Sequence, residues 1–103
     1  AKAFTERVNK ELPKTLKKLE KDLDVSILLF DHTKVSDKIV KNPKKYRITV
    51  ISQECQSTYP EVKPARENPD QYLFWDEWHF SRAAHKIFGG EMYEAVKTFN
   101  FKK

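Results

Sequence analysis

Asp76 and His79 stand three positions apart in Tyr72-Leu73-Phe74-Trp75-Asp76-Glu77-Trp78-His79-Phe80-Ser81-Arg82-Ala83, between an aromatic run and the start of an amphipathic stretch. Residues spaced this way on a turn or first helical turn face the same side. The carboxylate can therefore hold one ring nitrogen of the imidazole while the other points outward, which is the base half of a nucleophilic triad. No serine in the chain sits in a glycine-flanked nucleophile turn, so the pair lacks its nucleophile. Trp75, Trp78 and Phe80 flank the pair, either as walls of an acyl site or as packing for the dyad. His85 reads as a surface or packing residue of the last helix, and His32 as part of a helix start. The three histidines share no metal-ligand spacing, and no cofactor is implied.

The elements that must position this pair follow from periodicity. Phe4, Val8, Leu12, Leu16, Leu19 and Leu23 recur in steps of four and three, which predicts an amphipathic helix over 3–23 with a kink or restart at Pro13. Val25-Ser26-Ile27-Leu28-Leu29-Phe30 is nearly all apolar without alternation, the signature of a strand buried on both faces. Asp31-His32-Thr33 opens a short helix with Val35, Ile39 and Val40 on its apolar face, stopped at Asn42-Pro43. A short strand is expected over 47–52, then a long loop punctuated by Pro60, Pro64 and Pro69. Such loops in compact domains are usually functional or disordered. Tyr72 to Trp75 reads as a brief aromatic strand. Ser81 is a plausible cap for a final helix marked by Ala84, Ile87, Phe88, Met92, Ala95, Val96 and Phe99, with Gly89-Gly90 weakening its middle. This order predicts an α/β class, with the chain as a single segment, 1–103, that completes a sheet begun elsewhere.

Composition narrows the classes further. The chain has 103 residues, 34% charged and 39% apolar, which suits one globular domain at most. No run approaches the ~20 apolar residues of a membrane span, and no stretch reads as a signal peptide. The net charge of +5 lies largely in Lys14, Lys17, Lys18 and Lys21 and in Lys41, Lys44, Lys45 and Arg47. Those cations are either solvated surface or an attraction to an anionic surface such as phospholipid. No glycine-rich phosphate cradle or aromatic-basic motif points to nucleic acid. The one cysteine, Cys55, excludes an internal disulfide and leaves a free thiol or a bond to another segment.

With these residues in view, the chain resembles the C-terminal part of a GDSL (SGNH) hydrolase, an esterase and lipase family. It is most similar to the bacterial branch of lysophospholipases and glycerophospholipid–cholesterol acyltransferases. The specific part is Phe74-Trp75-Asp76-Glu77-Trp78-His79, with Phe80-Ser81 where the family has Pro-Thr. Upstream, Asn42-Pro43-Lys44-Lys45-Tyr46-Arg47 followed by Cys55 is similar to the family's Asn-Pro-x-x-Tyr-Gly stretch, with Arg47 in the glycine's place. Phe4 to Leu12 and Val25 to Asp31 match its earlier blocks. The resemblance implies the C-terminal portion of a three-layer α/β/α fold, Asp76 and His79 as catalytic residues, and no cofactor. It also implies an N-terminal partner segment carrying the serine and oxyanion donors, a lipid or lysophospholipid ester substrate, and a secreted or extracytoplasmic setting. The competing expectation is a non-catalytic fragment whose basic helix binds an acidic partner or a membrane surface.

Overall fold

The computed structural model describes residues 2–101 as a mixed α/β chain of three helices and a small parallel sheet. It divides into two compact units, one formed by the segment through Phe30 with the segment from Ala95 on, the other by Asp31–Glu94.

In the first unit, helix α1 (Lys2–Leu23) runs through Pro13 as a single helix, so of the expected kink or restart it is the restart that does not occur. Asp24 ends it in the left-handed conformation at φ 53°, and the Val25 N–H reaches back to the Glu20 carbonyl at 3.2 Å. This is a Schellman-type stop with aspartate where glycine is usual. None of the described residues of α1 is fully buried; Phe4 and Leu23 are largely exposed.

Val25–Phe30 is not a strand, contrary to its apolar composition. A fully apolar strand forms only where neighbouring backbone satisfies its N–H and C=O groups. The two strands of the described residues pair with each other instead. The Ile27 N–H is met by the Glu20 carboxylate at 2.9 Å, and Val25 and Leu29 stay exposed.

In the second unit, helix α2 (His32–Lys41) begins as expected, with Asp31 as its cap accepting the Thr33 N–H at 3.0 Å. Val35 and Ile39 are buried, whereas Val40 faces solvent. After Asn42 a single 3₁₀ turn, Pro43–Tyr46, ends at Arg47 in the left-handed region at φ 60°, ψ 28°. Arginine thus adopts a backbone conformation that glycine takes up more readily. The geometry keeps the Arg47 N–H on the Lys44 carbonyl and the Ile48 N–H on the Pro43 carbonyl, and Ile48 becomes fully buried. A non-glycine residue here costs on the order of 1–3 kcal/mol, partly offset in glycine by its greater unfolded-state entropy. Arg47→Gly should accordingly raise stability by about 1 kcal/mol, a gain of roughly 4–8 °C in Tm, by thermal unfolding; an unchanged or lower Tm would contradict it.

Strand β1 (Val50–Glu54) begins three residues later than the predicted 47–52 segment and ends two later, the turn at 43–47 having taken up its first residue. It pairs in parallel with β2 (Tyr72–Phe74), Val50 opposite Tyr72 and Glu54 opposite Phe74, with an irregularity between. β2 stops at Phe74, one residue short of Trp75. Tyr72 and Leu73 are buried with Ile39, Ile48, Cys55, Ala84 and Phe88. Helix α3 (Arg82–Thr98) starts on Ser81, whose hydroxyl accepts the Ala84 N–H at 3.1 Å, and passes through Gly89 and Gly90 unbroken.

Candidate active site

The segment after β2 turns back on itself within seven residues. Phe74 bridges Phe80 in antiparallel fashion, the Trp75 N–H donates to the His79 carbonyl at 2.9 Å, and the Ser81 N–H donates to the Leu73 carbonyl at 2.9 Å. Inside this turn Asp76 behaves as aspartate does in Asx turns, with its side chain accepting backbone donors just ahead. Oδ1 accepts the N–H of Trp78 at 2.9 Å and of His79 at 2.7 Å. The same oxygen lies 2.8 Å from His79 Nδ1, and Oδ2 lies 3.1 Å from it. One carboxylate therefore shapes the turn and holds the ring.

Burial is asymmetric. The Asp76 side chain is 10% exposed and the His79 side chain 68%. With Nδ1 turned to the carboxylate, Nε2 occupies the outer, solvent side of the imidazole. In the neutral ring this pairing favours the proton on Nδ1 and leaves Nε2 as the acceptor.

Loss of water around the Asp76 carboxyl is the largest influence on its titration and pushes it upward. The Trp78 N–H, the His79 ring and the His79 N–H together outweigh that, so the group titrates below its ordinary 3.8. A carboxyl depressed on folding adds stability above its unfolded value, and that stability is lost as pH falls through the folded value. Carboxyl ¹³C titration should give Asp76 a midpoint below 3.8, with the amide signals of Trp78 and His79 moving at the same midpoint. A midpoint at or above 3.8 would contradict the turn.

The three aromatic candidates part ways. Phe80 stacks on Phe74, with centroids 5.2 Å apart, and meets the Phe88 ring edge-on at 4.9 Å, so it is largely a packing residue. Trp75 and Phe80 also wall a cleft of ≈ 600 Å³, with Asp70, Arg82 and His85 at its polar side. Trp78 is 71% exposed and lines no part of that cleft. Arg82 forms a two-point ion pair with Asp70, Nη2 to Oδ2 at 2.6 Å and Nε to Oδ1 at 3.3 Å.

Some participants were not legible in sequence. His85 lies on the exposed surface of α3, as expected of a surface or packing residue, and what its position in sequence does not show is that it lines the cleft. No local spacing marks Glu77, yet its carboxylate accepts both the N–H and the hydroxyl of Thr58. Thr58 lies 19 residues upstream, beyond the reach of any local spacing rule. His32 packs edge-on to Phe88 at 6.0 Å, in keeping with a helix-start role. Cys55 is 2% exposed, its Sγ 3.6 Å from the Arg66 carbonyl, so the thiol of this structure is packed inside the loop.

Ser36, Ser57 and Ser81 are each bound locally, to the Thr33 carbonyl, the Glu61 carbonyl and the Ala84 N–H respectively. No described bond joins His79 to a hydroxyl. Neither a protein-family model nor a curated protein matches this chain.

Proposed function

We propose that this chain supplies the base and its orienting carboxylate to a serine ester hydrolase acting on lipid or lysophospholipid acyl esters. The serine and the oxyanion donors come from a segment outside these 103 residues. The observation that carries the reading is the fixed Asp76–His79 pair, 2.8 Å apart, with its distal nitrogen on the exposed side of the ring. The aromatic-flanked Asp-x-x-His motif and its resemblance to GDSL hydrolases add the reaction class. On this reading the α/β chain is the C-terminal portion of a three-layer SGNH-type fold, in a secreted or extracytoplasmic protein.

The chemistry follows from the geometry. As the incoming serine oxygen bonds to the ester carbonyl carbon, its proton passes to His79 Nε2, and Asp76 stabilises the imidazolium. Collapse of the tetrahedral intermediate breaks the bond to the alkoxy oxygen, which leaves with the proton from Nε2. Water, or a second alcohol in an acyl transfer, then repeats the cycle on the acyl-enzyme and releases the acid or new ester. The apolar part of the substrate would lie against Trp75 at the neighbouring cleft, which Asp76 and His79 do not themselves line. The direct test combines this chain with a Gly-Asp-Ser-bearing segment and follows 4-nitrophenyl butyrate hydrolysis. Activity that needs both polypeptides supports the assignment, and none in any combination would overturn it.

A second reading rests on α1. Arg7, Lys10, Lys14, Lys17, Lys18 and Lys21 fall within roughly a third of the helix circumference, opposite the stripe from Phe4 to Leu23. That arrangement favours an acidic protein partner over a bilayer. A membrane taking the stripe would leave these cations about a helix diameter away, near the limit of screening. Binding to such a partner would weaken steeply with salt and survive His79→Ala.

A further inference from the structure

We infer that Glu77 is a positioning residue for the Asp76–His79 pair, clamping their turn to the loop that follows β1. The inference rests on the hydrolase reading for its catalytic consequence, but not for its structural one.

The parallel pairing of β1 with β2 does not stop where the strands end. The Cys55 N–H donates to the Phe74 carbonyl at 3.1 Å and the Gln56 N–H to the Trp75 carbonyl at 2.8 Å. The two segments thus continue side by side past Glu54 and Phe74. At the next step the turn has folded away to form the dyad, and the main-chain carbonyl no longer serves the loop. There the Glu77 side chain replaces it, accepting the Thr58 N–H at 3.0 Å on Oε1 and the Thr58 hydroxyl on the same oxygen. Oε2 also lies 3.2 Å from that N–H. A carboxylate stands in for a backbone carbonyl as the last rung of the ladder.

The other side of this rung is itself held. The Ser57 N–H and carbonyl both pair with Lys63, the Ser57 hydroxyl donates to the Glu61 carbonyl, and the Arg66 N–H donates to the Cys55 carbonyl. Ser57 is 6% exposed. Thr58 is thus anchored on a braced loop, and Glu77, one of the two residues between Asp76 and His79, carries that anchorage into their turn. The adjacent carboxylates have divided tasks: Asp76 closes the turn on itself, and Glu77 ties the turn to the loop after β1. The Thr58 hydroxyl is the largest influence holding the Glu77 carboxyl below its ordinary range, consistent with an ionised acceptor.

The test reads the pair without hydrolysis first. In the intact chain, ¹⁵N shifts of the His79 ring report its tautomer, and amide exchange reports the Trp78 and His79 N–H groups held by Asp76. Glu77→Ala should speed that exchange about tenfold and mix the ring tautomers. Glu77→Gln, whose amide oxygen still accepts, should restore most of the wild-type pattern. Thr58→Val removes only the hydroxyl donor and should give an intermediate effect; it also serves if Glu77→Ala does not fold. In the assembled hydrolase the same variants should lower kcat about tenfold with KM unchanged. Wild-type exchange and tautomer in both folded Glu77→Ala and Thr58→Val would overturn the inference. Altered exchange with no hydrolysis in any assembly would keep the clamp and remove the enzyme reading instead.

Discussion

In the proposed hydrolase, His79→Ala is expected to lower the rate of ester hydrolysis by ~10⁴-fold or more, about 5 kcal/mol of transition-state stabilisation. The size follows from the role: without the imidazole, neither the serine hydroxyl nor the leaving alkoxide has a proton partner. The substitution is also clean. Alanine keeps the main-chain N–H that Asp76 accepts at 2.7 Å, and the lost ring was mostly in solvent, so the turn persists. Stability should change by less than ~0.5 kcal/mol, the usual range for an exposed site. Asp76→Asn tests the orienting partner. Its amide can present N–H instead of oxygen to Nδ1 and stabilise the wrong tautomer, with an expected loss of ~10⁴-fold. Both are read from kcat/KM for 4-nitrophenyl butyrate beside a thermal melt. Near wild-type rates for folded His79→Ala would remove the catalytic assignment.

Leu73→Ala should be the most damaging change to the fold itself. Its side chain is 2% exposed, and its carbonyl accepts the Ser81 N–H, so the residue joins the sheet to the start of α3. Deleting a buried leucine costs ~2–5 kcal/mol through lost transfer energy and the cavity left behind. That is a large share of the 5–15 kcal/mol that domains possess. Thermal unfolding should fall by at least ~10 °C. Trp78→Ala is the control, since a ring 71% exposed contributes little to the core. Equal melting temperatures for the two variants would contradict the burial described above.

The dyad was readable because its determinants are local. Three-residue spacing, an aspartate that prefers to cap nearby N–H groups, and a following serine cap all act within one turn, and the geometry agrees with them. Helix α2 was readable for the same reason, from Asp31 at one end to Asn42-Pro43 at the other. Val25–Phe30 misled because composition reports burial preference, whereas strand formation needs a neighbouring backbone. Pro13 does not restart α1, because a helix accommodates the loss of one hydrogen bond when the rest of its length supports it. Glu77 was illegible because its partner arrives through β1–β2 pairing, a long-range event that no local pattern encodes. The assignment of the pair to an esterase rests on the motif's resemblance and on its chemistry, and it stands as a proposal.

The two strands differ in what surrounds them. β2 is served on both sides, by β1 along one and by Phe80 and Ser81 along the other. Among the described residues β1 pairs only with β2, so its other margin has no strand beside it. Growth of this sheet is thus one-directional: any incoming strand must enrol next to Val50–Glu54, which fixes the flank from which a larger architecture could be built.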